Sequence, residues 1–140
     1  MILDKMTELA LAQNVFSAGT DVASTNSYDT GAAADVGAGE TLFLYAKMVA
    51  ALAGGTSIQV VLQDSADNTT FADVQSAKAV PLASATANAV LAKMLLPIGM
   101  RRYLRVAWRS VGTTTAGTGS AYITKDVDAQ QYGASGFTVQ

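Results

Sequence analysis

A chain of 140 residues is long enough for one domain with a substantial core, and it contains neither Cys nor His. That composition excludes disulfides, thiolate metal sites, cysteine nucleophiles, the commonest zinc ligand and the usual proton shuttle of neutral pH. Charged residues make up only 14% and the formal net charge is −2, so an electrostatic nucleic-acid binder is not expected.

The opening residues Met1-Ile2-Leu3-Asp4-Lys5 lack a basic stretch followed by a long apolar core, and no signal peptide is expected. Ile2, Leu3, Met6, Leu9 and Leu11 fit a helical stripe without a clear cap, so residues 1–12 read as an arm or short helix. Strands are expected near residues 14–17 and 25–28. Residues 41–49 form the first strong strand, with Leu42, Leu44, Ala46 and Met48 on one face and Phe43, Tyr45, Lys47 and Val49 on the other. Gly54-Gly55 breaks the chain before residues 57–63, where Ile58, Val60 and Leu62 alternate with Gln59, Val61 and Gln63. Asp64-Ser65-Ala66-Asp67-Asn68 has the composition of a turn, and a short strand follows around 71–74. Residues 88–96 are the next strand, ended by Pro97-Ile98-Gly99. Residues 102–111 alternate most cleanly, with Leu104, Val106 and Trp108 inward and Tyr103, Arg105, Ala107 and Arg109 outward. Residues 112–119 read as a Thr/Gly loop, and residues 120–124 as the last strand.

About eight short strands punctuated by Gly, Asn, Asp and Ser, with no strand–helix alternation, predict an all-β, jelly-roll-like antiparallel β-sandwich. The boundaries are an N-terminal arm at 1–12, the sandwich at 13–126 and a polar C-terminal tail at 127–140. Lys or Gly interrupts every apolar run before about 18 residues, so no transmembrane helix and no membrane partner are expected. The lack of Cys fits synthesis in a reducing cytosol.

No constellation of residues carries recognisable chemistry. The Asp64–Asn68 segment has neither the sixth-position Gly nor the twelfth-position Glu of a calcium loop and reads as a turn. Glu8 and Glu40 are the only Glu residues, too few for a paired-carboxylate cleft. Without His a Ser nucleophile would need a Lys base, and no motif surrounds any Lys. The Gly-rich pieces around Gly37 and Gly112 lack the Gly-Lys-Ser/Thr ending of a phosphate loop. No enzymatic activity, metal or cofactor is expected.

Two features admit an interface reading. Arg101, Arg105 and Arg109 are spaced to share one strand face with Tyr103. They form either a solvated outer face balanced by acids on a neighbouring strand or a stripe that grips carboxylates of a partner, for which guanidinium forks are suited. Apolar residues also lie at both extremes of the chain: Met1, Ile2 and Leu3 at one, Tyr132, Phe137 and Val139 at the other. They either dock on their own domain or are completed by another chain. Trp108 is most simply the core anchor.

Four pieces in one order carry a resemblance: Met1-Ile2-Leu3-Asp4-Lys5, Asp35-Val-Gly-Ala-Gly-Glu40 before a strand, Gln59-Val-Val-Leu-Gln63-Asp64-Ser65, and Arg101-Arg-Tyr-Leu-Arg-Val106. Together they resemble the capsid cement, or decoration, proteins of tailed bacteriophages, of the type described in a Bordetella phage. The resemblance runs from Met1 to about residue 124, and residues 130–140 match nothing in it. It implies a jelly roll on the outer face of an icosahedral head, partnered by the major capsid protein and by further copies of itself as a dimer or trimer, with no chemistry performed. The alternative from another class is a carbohydrate-binding sandwich of a phage tail or fibre, using Tyr103, Trp108 or loop Asp and Asn residues.

Overall fold

A computed structural model describes residues 3–32, 41–125 and 127. Among the described residues ten strands occur in chain order: β1 Glu8–Asn14, β2 Val22–Ala23, β3 Tyr28–Asp29, β4 Phe43–Gly54, β5 Ser57–Ser65, β6 Ala72–Ser76, β7 Val80–Pro81, β8 Val90–Leu95, β9 Tyr103–Val111 and β10 Thr114–Thr124. One sheet has the order β1-β10-β4-β8 and the second β2-β9-β5-β6. In the second sheet β3 joins β2 on the same side of β9, and β7 joins β6 on the same side of β5. All pairings are antiparallel, and the chain passes repeatedly from one sheet to the other, as in a jelly roll. The expected fold class holds.

The core follows from the alternation of the longest strands. Leu104, Val106 and Trp108 of β9 face inward beside Ile58, Val60 and Leu62 of β5, and all six are buried. They meet Leu44, Ala46 and Met48 of β4, Ala92 and Met94 of β8, and Ala121 and Ile123 of β10. Small residues in the first sheet make room for the large ones of the second. A Cβ on Gly119 would stand 2.9 Å from Cη2 of Trp108 and 3.1 Å from Val15 Cγ1, so only glycine fits beneath the indole. The indole N–H itself finds no hydrogen-bond partner among the described residues. Gly54 and Gly55, with φ of 73° and 71°, make the crossing from β4 to β5 in a backbone region that other residues rarely adopt.

Three sequence expectations are corrected. The segment read as an arm or short helix through residue 12 is a 3-10 turn at Lys5–Thr7 followed by edge strand β1. Asp4 caps the turn by accepting from the Met6 N–H at 3.0 Å. The apparent helical stripe came from Leu3, Met6 and Leu11, which are exposed, while two register shifts let the consecutive Leu9 and Ala10 both be buried. The Thr/Gly stretch 112–119 is mostly strand: β10 starts at Thr114, and three register shifts against β4 erase the alternation that would have revealed it. Asp64 and Ser65 belong to the end of β5 and not to the turn. The very short β2 and β7 were not anticipated, since two-residue strands leave no pattern.

Candidate functional site

The arginine ladder lies on the outer face of the second sheet. Strand β9 presents Arg109, Ala107, Arg105 and Tyr103 outward, directly opposite Gln59, Val61, Gln63 and Ser65 of β5. Val61 and Ala107 are buried although they face out. Arg109, opposite Gln59, reaches Asp73, which pairs with Gln63, so the ion pair spans two register positions of β5.

Acids from several segments neutralise three of the four arginines. Arg101 sits just before β9 and not within it. Its side chain donates to Asp64 Oδ1 at 2.9 and 2.6 Å and to the Asp64 carbonyl at 2.9 Å, while its backbone N–H donates to Oδ2 at 2.9 Å. Burial pushes the Asp64 carboxyl up, but the Arg101 hydrogen bonds and charge outweigh it and hold the pKa below the ordinary value. Arg102 makes a two-pronged pair with Asp29 at 2.7 and 2.8 Å, and its guanidinium lies 5.0 Å from the Tyr103 ring centroid. That pair, with the Gly31 N–H, lowers the Asp29 pKa to about 2. Arg109 holds Asp21 at 2.6 Å and Asp73 at 2.9 Å, and its pKa is raised by both. Hydrogen bonds from Gln63 and Arg109 in turn hold the Asp73 pKa low.

Arg105 is different. Its Nε donates to Gln63 Oε1 at 2.8 Å, and its guanidinium carbon stands 3.8 Å over the Phe71 ring. No carboxylate among the described residues bonds it, and desolvation lowers its pKa.

For the ladder, the reading in which neighbouring acids balance an outer face therefore describes Arg101 and Arg109, whereas Arg105 stands apart. Gln63, Asp64, Asp73, Asp21 and Phe71 complete the arrangement, and residue-by-residue reasoning missed them. The only sequence signal for them was the outward parity of Gln63 and Arg105 on two strong strands, which becomes a contact once the register pairs them. Of the terminal candidates, Leu3 is exposed. Met1, Ile2, Tyr132, Phe137 and Val139 lie outside the described residues, as does Glu40. Trp108 is wholly inside the core and offers no platform for a sugar ring, and Tyr103 is covered on one face by Arg102.

The Asp64–Asn68 segment closes on itself. The Asp67 carboxylate accepts from the Thr69 and Thr70 N–H groups at 3.0 and 2.9 Å and from the Ser65 hydroxyl at 2.8 Å, which is the geometry of a turn. Among the described residues no group of three or more acidic side chains is placed to hold a metal ion, and no helix is long and apolar enough to cross a membrane.

Fold and surface together define a jelly-roll β-sandwich whose second sheet carries a cross-strand arginine–aspartate network on its outer face. The chain belongs to the Bbp16 family, a Bordetella phage protein family, whose model matches residues 9–123. That match runs from the second residue of β1 to the penultimate residue of β10, and so takes in the whole sandwich. No curated protein matches the chain.

Proposed function

We propose that this chain is a non-enzymatic structural protein of the virion that binds the outer surface of an icosahedral phage head. It acts as a symmetric dimer or trimer that bridges major capsid subunits, without nucleic acid, membrane or cofactor, after synthesis in the bacterial cytoplasm. The observation that carries this reading is membership of a phage family across the entire sandwich. A supporting feature is the end of the sandwich where β1 begins and β8 ends, which exposes Leu3, Met6, Leu95 and Ile98, the last at 83%. Exposed apolar side chains at one end suit a protein that works by contact.

The energetics need no hot catalytic centre. A protein that binds the assembled shell and not its separated subunits stabilises the shell by its binding free energy. An oligomer that engages several subunits at once gains avidity from modest individual contacts. A cryo-electron microscopy map of the virion tests the proposal. Density for this jelly roll is expected on the outer capsid surface at two-fold or three-fold positions, and a fully resolved head lacking it there would overturn the reading. For the carbohydrate-binding alternative Trp108 is buried in the core, and no observation favours it.

A further inference from the structure

The outer-face network of the second sheet has a direction. Asp21 and Asp73 both accept from Arg109, Asp73 also accepts from the Gln63 amide at 2.7 Å, and the remaining Gln63 oxygen accepts from Arg105 Nε. Each acceptor in the chain is thereby used, and the chain terminates in a group that only donates. The two terminal nitrogens of Arg105 have no hydrogen-bond partner among the described residues.

Arg105 is also held in place. Phe71 covers one face of its guanidinium and Gln63 fixes the Nε edge, so the fork has little freedom left to lose when it binds. The sum of charge on this face is balanced, with Arg101, Arg102, Arg105 and Arg109 facing Asp21, Asp29, Asp64 and Asp73. Its distribution is not, because among the described residues Arg109 draws two aspartates and Arg105 none. A half-buried guanidinium with an open two-pronged edge is complementary to a carboxylate, which would accept two parallel N–H bonds.

We infer that Arg105, backed by Phe71 and oriented by Gln63, is a receptor for one Asp or Glu carboxylate of a protein partner. This inference rests on the capsid-binding reading, which makes that partner the major capsid protein. The site selects a fork over a point charge, so Lys at this position does not replace Arg. Its three arginine neighbours are spent on the sandwich itself and contribute little to docking.

The test uses the full chain and heads of the same phage assembled without it, with binding followed by co-sedimentation at several salt concentrations. Arg105→Gln is expected to weaken binding about tenfold or more while the circular dichroism spectrum is unchanged. Arg105→Lys keeps the charge and most of the apolar stem on an outward-facing position, so it folds, and it is expected to show a clear loss as well. Arg102→Gln serves as the control, expected to bind within about twofold of wild type because its partner Asp29 is internal. Wild-type binding with Arg105→Lys and Arg105→Gln undiminished overturns this inference and leaves the capsid reading standing. Failure of the wild-type chain to bind heads at all overturns both.

Discussion

Gly119 and Trp108 show how one missing side chain sets the centre of this fold. The largest residue of the core lies against a position where a methyl group would meet its ring at 2.9 Å, and the backbone around Gly119 is part of a continuous strand that cannot easily move aside. Overpacking of this kind costs about 1–3 kcal/mol. Gly119→Ala is therefore expected to lower the stability by that amount in urea denaturation, with an unchanged slope, since the denatured chain is the same. The same residue scale explains why the arginines differ from one another. Arg101, Arg102 and Arg109 each meet carboxylate oxygens at hydrogen-bonding distance, whereas Arg105 meets an amide and a ring. Alternation along β9 assigned Arg105 and Arg109 to the outward face correctly, but alternation has no information about what stands opposite.

At the scale of elements, the first sheet departs most from regularity. Strand β1 carries two register shifts and places Ala12 at a φ of 45°, with its N–H donated to the Ser120 hydroxyl at 2.8 Å. Bulges of this kind twist an edge away from foreign strands. The turn before β1 is tied down as well: Asp4 caps it, and Lys5 pairs with Glu8, whose side chain is only 8% exposed. Deleting residues 1–5 removes the cap and leaves a buried carboxylate without its cation. Such a truncation is expected to destabilise the domain by about 1–3 kcal/mol, read as a lower denaturation midpoint. Deleting residues 1–3 alone spares both interactions and is expected to leave the midpoint nearly unchanged. Strand β10 makes the complementary point. Its Thr/Gly half is strand because β1 and β4 flank it, with the Val15 N–H donating to the Gly117 carbonyl and the Ala50 N–H to the Thr118 hydroxyl. Neither partner is close in sequence.

At the scale of the whole molecule, the aspartates tie together segments far apart in the chain. Asp29 to Arg102, Asp64 to Arg101 and Asp21 to Arg109 each close a long loop across the second sheet. The carboxyl groups of Asp29, Asp64, Asp67 and Asp73 all titrate below their ordinary range in the folded state, Asp29 at about 2. A group whose folded pKa is lowered stabilises the fold above its unfolded pKa, near 4, and that contribution disappears as the pH falls towards the folded value. The denaturation midpoint is therefore expected to be flat near neutrality and to fall between about pH 5 and pH 2. In Asp29→Asn the fall over the lower part of that window should be shallower, and added salt should lessen it for the exposed pairs.

The all-β class, the inward faces of β5 and β9 and the poverty of catalytic side chains were legible in the sequence by itself, because period-two alternation and composition are local properties. The strand character of residues 114–119, the edge strand at Glu8–Asn14 and the separation of Arg105 from its neighbours were decided by the tertiary structure alone. Each depends on pairing with a strand or a polar side chain many residues away: Arg105 meets Gln63, Arg109 meets Asp21, and β1 meets β10 across nearly the whole described chain. The ladder that alternation placed on one face is thus two arginines, Arg101 and Arg109, that bind the sandwich together and one, Arg105, that meets an amide and a ring.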